Sequence, residues 1–248
     1  MENTMTRLKL FGIDNCPHFA DTTLKNLNSI NQSELSKFIV QDEKHESASI
    51  NVFKVVGTKH PNYAGGTWLD LLENGRRMDH NLKRFIENPG YYLENRTKEP
   101  YMHYVSFDGD EIYIGEEGNH RTCIARLFFH SEGSTILHGV RLETFTIDWA
   151  FKNLFDNISA FITTRNLPIY LSLQNKIVER KDAANWKMDT YQILVKVRRS
   201  SKVYELNYTD LQDLFHNLQN PWWKKIVQPW RSNTKLLPEE AALPSGNR

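Results

Sequence analysis

The chain has 248 residues, of which 40% are hydrophobic and 12% aromatic, close to the average of soluble globular proteins and enough for a sizeable core. Its 31 lysines and arginines against 30 acids leave a formal charge of +1, a balance that argues against binding driven by attraction to a nucleic-acid backbone. Cys16 and Cys123 are too far apart in sequence to make a disulfide framework or a zinc half-site, no apolar run reaches membrane-span length, and the first residues lack a secretory apolar core, so a cytoplasmic, reducing location without membrane contact is expected.

Between Asp21 and Val40, Leu24, Leu27, Ile30, Leu35, Phe38 and Ile39 recur at roughly helical spacing, with Asp21-Thr22-Thr23 as the starting cap. Residues 50–56 are rich in β-branched side chains and read as a strand, and Gly65-Gly66 marks a turn. Thr67 can cap a helix through Trp68, Leu69, Leu71 and Leu72, which Gly75 interrupts. A second helix over 78–87 places Leu82, Phe85 and Ile86 on one side, and Asn88-Pro89-Gly90 ends it. Residues 101–107 and 111–114 read as a hairpin around Asp108-Gly109-Asp110. A glycine turn follows, then a helix to about residue 129, a break at Gly133-Ser134 and a strand over about 135–145.

The C-terminal third reads as a second unit. Asp148 can cap a helix carrying Phe151, Leu154, Phe155, Ile158, Phe161 and Ile162 on one stripe. Residues 169–178 are extended, and Tyr191, Ile193, Val195 and Val197 alternate along a strand. An Arg199-Ser200-Ser201 turn returns the chain over 202–207, and Thr209 caps a last helix bearing Leu211, Leu214, Phe215 and Leu218. Strands and helices are interspersed, so the expected class is α+β.

The chemical signal is Tyr113-Ile114-Gly115-Glu116-Glu117-Gly118-Asn119-His120-Arg121-Thr122. A strand ends at Gly115, and Gly118 permits a bend that other residues resist. The next helix starts at Asn119 or His120, where its first N–H groups are unpaired and the dipole is positive, so an anion placed there is favoured. His120 and Arg121 add donors, and a solvent-facing Arg121 can grip phosphate oxygens in a fork. Cys123, Ile124, Leu127 and Phe128 form the stripe that packs this helix on the sheet.

Glu117-Gly118-Asn119-His120-Arg121 resembles the acid-Gly-x-His/Arg-Arg box of the ParB/sulfiredoxin-like superfamily, and the order of flanking elements over about 67–148 is similar. The resemblance implies a core at 67–148 between an N-terminal extension at 1–66 and a C-terminal α/β subdomain at 149–236, with a loose tail at 237–248. It implies a phosphate-binding set of Gly118, Asn119, His120, Arg121 and Thr122. Glu117, and with it Glu116, would sit where family members place an acid that orients water or a metal, with Glu117 the metal ligand and His120 a third catalytic group. The implied function is an enzyme that binds a nucleoside triphosphate with Mg²⁺ and hydrolyses it or transfers its phosphate. A DNA nuclease is the enzymatic alternative, and a nucleotide-sensing or DNA-associated regulator of a mobile element or defence system is the non-catalytic one. Nucleotide is thus the expected partner, DNA a second, and a homodimer one option for the oligomeric state. Sulfiredoxins carry a nucleophilic cysteine where Asn119 stands, so sulfinic-acid reduction is not expected. Chromosome-partitioning ParB proteins carry a helix-turn-helix where this chain has a β-hairpin, which argues against centromere binding.

Other motifs have simpler readings. Cys123 reads as core. Asp108 and Asp110 read as turn chemistry, and Cys16 with His18 lacks a second metal-ligand pair. Arg76-Arg77 and Lys83-Arg84 read as a solvated helix surface, with a basic face beside the site as the alternative, and Trp222-Trp223-Lys224-Lys225 as packing of the last element, with stacking on bases as the alternative.

Overall fold

Tyr104, Ile112 and Ile114 alternate with Val105, Phe107 and Tyr113 along two neighbouring strands, and this period of two sends the first set to one face of a sheet and the second set to the other. The computed structural model describes residues 2–30, 32–199 and 202–220. The helices are α1 (Glu2–Lys9), α2 (Gln32–Leu35), α3 (Trp68–Asn74), α4 (Met78–Glu87), α5 (Gly90–Leu93), α6 (Asn119–Glu132), α7 (Trp149–Thr164) and α8 (Tyr208–Gln219). The strands are β1 (Lys25–Asn26), β2 (Ile39–Asn51), β3 (Val55–Thr58), β4 (His103–Phe107), β5 (Glu111–Ile114), β6 (Ile136–Ile147), β7 (Ile169–Ala183), β8 (Trp186–Arg199) and β9 (Lys202–Leu206). The class is mixed α and β. Among the described residues no helix is long and apolar enough to cross a membrane.

The chain forms two compact units. The first holds residues up to 35, 41–147 and 179–190. Its strand order is β1-β3-β5-β4-β6-β2, continued by the 186–190 part of β8, which pairs antiparallel with β2. β3 and β5 are parallel, β5 and β4 form the hairpin, and β4 and β6 are parallel. Against the first face pack Trp68, Leu71 and Leu72 of α3, Met78, Leu82 and Phe85 of α4, and the whole apolar side of α6. Residues 1–66 share this core through Leu8, Leu24, Ile50 and Val52, so no unit boundary falls at 66. The second unit holds 36–40, 148–178 and, of the described residues beyond 190, 191–199 and 202–220. There Asp148 caps α7 by accepting from Phe151 N at 2.8 Å, and α7 and α8 meet through Phe151–Tyr208 and Phe161–Phe215.

Several expectations are corrected. The spacing between 21 and 40 is not one helix: short 3-10 turns at His18–Asp21, Leu27–Ser29 and Ser36–Phe38, the two-residue β1 and the single-turn α2 bury Leu24, Leu27 and Phe38 instead. The strand expected at 50–56 is broken by a 3-10 turn at Val52–Lys54 between β2 and β3. Ile86 is 59% exposed, because the buried stripe of α4 runs through Met78, Leu82 and Phe85. The cap of α8 is Asn207, in a capping box with Asp210, and not Thr209. The Ser200-Ser201 turn, the Trp222–Lys225 motif and the tail at 237–248 lie outside the described residues.

Inside the first unit α6 is anchored by Arg126, which is 4% exposed. Its Nη1 donates to the carbonyls of Val55 at 2.7 Å, Val52 at 3.1 Å and Phe53 at 3.4 Å, closing the 3-10 turn that leads into β3. The guanidinium lies against the rings of Trp68, Phe19 and Phe53 at 4.4, 4.8 and 5.4 Å. Removing it takes a donor from three carbonyls, of which Val52 O keeps the Val55 N–H as a second partner. Arg126→Leu should therefore lower unfolding free energy by about 3 kcal/mol, read as a lower urea midpoint at unchanged slope, with Arg126→Lys in between.

Candidate functional site

β5 delivers the chain into a tight turn that aims the head of α6. Gly115 lies so close to His103 that a side chain there would overlap the imidazole. His103 N donates to Glu117 O at 2.9 Å, and Glu116 N donates to His103 Nδ1 at 3.3 Å. Gly118 then adopts φ +125°, a conformation L side chains rarely take. As the N-cap it brings no side chain, and the first turn of this 14-residue helix holds no acid. The first helical bond runs from Thr122 N to Gly118 O at 2.8 Å, so the N–H groups of Asn119, His120 and Arg121 are left without helical partners at the positive end of the dipole.

The turn is braced from behind. Asn119 is buried, and its Oδ1 accepts from Thr58 Oγ1 at 2.6 Å, while Thr58 Oγ1 accepts from His60 N at 3.0 Å. Thr122 is fully buried: its hydroxyl bonds Gly118 O at 2.8 Å and lies 2.7 Å from Tyr104 Oη. Thr122 was expected among the phosphate ligands, but it supports the turn and does not line the cavity.

The head of α6 opens into a cavity of about 570 Å³ within the first unit. Glu116, Glu117, Gly118, Asn119, His120 and Arg121 form one wall. α4 and the loop before it form another, through Arg76, Arg77, His80, Asn81 and Arg84, and His60, Tyr63 and Tyr91 also line the cavity. Arg77, His80, Asn81 and Arg84 fall at i, i+3, i+4 and i+7, a helical face that flanks the buried stripe. The basic pairs read as solvated surface thus contribute Arg76, Arg77 and Arg84 to this wall, while Lys83 does not reach it.

The arginines divide by role. Arg121 is half-buried, not solvent-facing as expected. It donates from Nη1 to Pro100 O and to Tyr91 Oη at 2.9 Å, and from Nη2 to Tyr101 O at 2.9 Å. Its fork clamps the segment before β4 onto α6. Arg76, Arg77 and Arg84 make no side-chain hydrogen bond or ion pair with the described residues, so their donors are open to a ligand.

His120 also differs from a cationic clamp. Burial, then the charges of Arg77, His60 and Arg121, push its pKa down to about 4, so the ring is neutral near pH 7. Its Nε2 lies 3.1 Å from Tyr63 Oη and accepts from Arg77 N at 3.4 Å. A Cβ on Gly75 would come within 2.8 Å of its Cδ2, so only glycine leaves the ring its slot.

The acids facing the cavity, Glu87, Glu99, Glu116 and Glu117, are exposed. Glu116 lies 3.9 Å from Lys59 Nζ. Among the described residues no cluster of three His, Cys, Asp or Glu side chains can hold a metal, so Glu117 and Glu116 fit only a cation that brings other ligands with it. Cys123 is buried, donates to Trp68 O at 3.4 Å and has its thiol pKa pushed up to about 12 by burial, which suits a core residue. Asp108 caps the hairpin by accepting from Ile147 N at 2.8 Å, and Cys16 is an exposed free thiol.

No protein-family model, no curated protein and no solved structure matches the chain.

Two outcomes follow from this geometry. Because Arg121 ties three acceptors together, Arg121→Ala should lower stability by about 1–3 kcal/mol in chemical denaturation, where an exposed arginine would change it by less than about 0.5 kcal/mol. Because the folded pKa of His120 is below its unfolded value of about 6.5, the unfolded chain takes up the proton first as pH falls. The stability this lends is complete above about pH 6.5 and is lost toward pH 4. Urea titrations across that window should show a shallower acid decline in His120→Gln, the remainder coming from groups such as His103, also held down by burial.

Proposed function

We propose that the cavity at the head of α6 binds the phosphates of a nucleoside triphosphate, and that the protein hydrolyses the nucleotide or transfers its terminal phosphate. The observation that carries this reading is the meeting, in one cavity, of an uncapped helix start with three arginines whose guanidiniums have no partner among the described residues. The resemblance of Glu117–Arg121 to the ParB/sulfiredoxin-like box supports the same reading.

In this mechanism the N–H groups of Asn119, His120 and Arg121 receive oxygens of one phosphate. Arg76, Arg77 and Arg84 neutralise charge that spreads over the leaving and transferred groups. Glu117 or Glu116 accepts a hydrogen bond from the attacking water and takes its proton as the new P–O bond forms and the bridging P–O bond breaks. Glu117, with Glu116 beside it, would hold Mg²⁺ at the phosphates, where the ion would supply further charge neutralisation. The four cavity glutamates weigh against a long nucleic-acid track, which would meet repulsion on both sides, and favour a compact ligand.

The test is a thermal-shift panel of nucleoside triphosphates with and without Mg²⁺, followed by phosphate release and a plasmid-nicking assay. A ligand at about 100 times its Kd should stabilise the protein by about 2.7 kcal/mol. Stabilisation without turnover would leave a nucleotide-sensing protein, nicking would favour a nuclease, and no response to any nucleotide would refute the reading. Arg84→Ala should weaken the best ligand by about tenfold to a hundredfold in calorimetry, as loss of a charge-assisted contact requires, with little change in melting temperature.

A further inference from the structure

His120 is the second residue of α6 and the one ionisable side chain of its first turn whose ring is engaged from three directions. Tyr63 Oη stands 3.1 Å from Nε2, and the N–H of Arg77 points at the same nitrogen from 3.4 Å. A backbone N–H can only donate, so Nε2 presents a lone pair, and the Tyr63 hydroxyl, meeting that same lone pair, donates as well. The tyrosine is itself fixed: its ring stacks on His60 at 4.3 Å and 23°, and stands edge-on to His120 at 5.5 Å and 81°. Gly75 leaves room for the Cδ2–Nε2 edge of the imidazole, where a Cβ would come within 2.8 Å of Cδ2.

The charged and titratable groups that face His120 are Tyr63 and His60 on the loop after β3, Arg77 on the loop before α4, and Arg121 on α6 itself. None is an acid that would draw a second proton onto the ring. Nδ1 has no hydrogen-bond partner among the described residues.

We infer that Tyr63 is a positioning residue that, together with the Arg77 N–H, keeps the His120 proton on Nδ1 and so makes this ring a neutral hydrogen-bond donor to a ligand phosphate beside the open N–H groups of α6. This rests on the phosphate reading of the cavity. It also assigns the work of that wall: the helix start and His120 offer neutral donors, and the arginines on and before α4 supply the charge. Neutral donors select by direction and distance, so they fix where one phosphate sits, while the arginines across the cavity set how strongly it is held.

The experiment is long-range ¹H–¹⁵N correlation of the histidine side chains at pH 7, after sequence-specific assignment, with and without tripolyphosphate as probe. The expected wild-type result is one protonated Nδ1 and one bare Nε2 for His120, with the Nδ1 signal moving when tripolyphosphate is added. In Tyr63→Phe the ring should become a mixture of tautomers, its titration midpoint should rise, and tripolyphosphate affinity should fall about threefold to tenfold, the effect of losing one neutral hydrogen bond. A wild-type ring carrying its proton on Nε2, or on both nitrogens, overturns the inference even if tripolyphosphate binds. An unchanged tautomer and unchanged affinity in folded Tyr63→Phe overturn the positioning role. A wild-type protein that shows the Nδ1–H ring yet does not bind tripolyphosphate overturns the phosphate reading of the cavity, and the donor role with it. Should Tyr63→Phe fail to fold, the wild-type spectra with and without tripolyphosphate decide the matter alone.

Discussion

The buried guanidinium of Arg126 is the contact on which the geometry of the first unit depends. A cation without a carboxylate partner is costly in a protein interior, and burial has pulled this group down to about 10 from the ordinary arginine range. Three carbonyls and three aromatic faces spread its charge, while Nε remains without an acceptor among the described residues. That arrangement has one register. If α6 slid by a residue, the guanidinium would leave its carbonyls and the rings of Trp68 and Phe19 would face an unpaired charge. The head of α6, two turns upstream, is thereby held against the end of β5, and the tight turn at Gly118 closes the remaining gap.

From that anchor the site is built by stiff, short-range contacts. Thr122 and Tyr104 lock the first turn of α6, Thr58 holds Asn119, and Arg121 draws in the segment before β4. Each of these polar groups satisfies backbone or side-chain partners in the protein, which stiffens the wall and removes them from the ligand. The groups left open are the helix N–H donors, His120 Nδ1 and the arginines on and before α4. Preorganisation of this kind means that a ligand does not have to order the wall when it binds.

His120 connects the two walls. Its ring joins the first turn of α6 to the Tyr63 hydroxyl and to the Arg77 backbone, both through Nε2, and Gly75 exists in that loop without a side chain because the ring occupies the space. The first turn of α6 is thereby tied to the loop that carries Arg76 and Arg77. The coupling is local: it runs through two hydrogen bonds and one close packing contact.

Much of the local structure of this protein is determined by its sequence alone. Helix α4, the hairpin of β4 and β5, the glycine turn, α6 and the Asp148 cap of α7 are legible because each depends on neighbours within a few residues: apolar period, turn chemistry or a capping side chain. The stretch from 21 to 40 was misleading for the same reason. Its apolar spacing suits a helix, yet the burial of Leu24, Leu27 and Phe38 is satisfied by separate short turns that only the surrounding elements make favourable. Sequence left open whether Arg76, Arg77 and Arg84 are solvated surface or a basic face beside the site. Arg121 follows the box and looks available, whereas Arg76, Arg77 and Arg84 look like solvated surface; both appearances reverse once the carbonyls of Pro100 and Tyr101 come within reach of Arg121 and α4 turns its polar face to the head of α6. Sequence determined which donors and charges this protein possesses, because propensity and pattern are local. Tertiary structure alone decided which of them are consumed by the fold and which remain open, because satisfaction of these polar groups depends on partners 20 to 74 residues away.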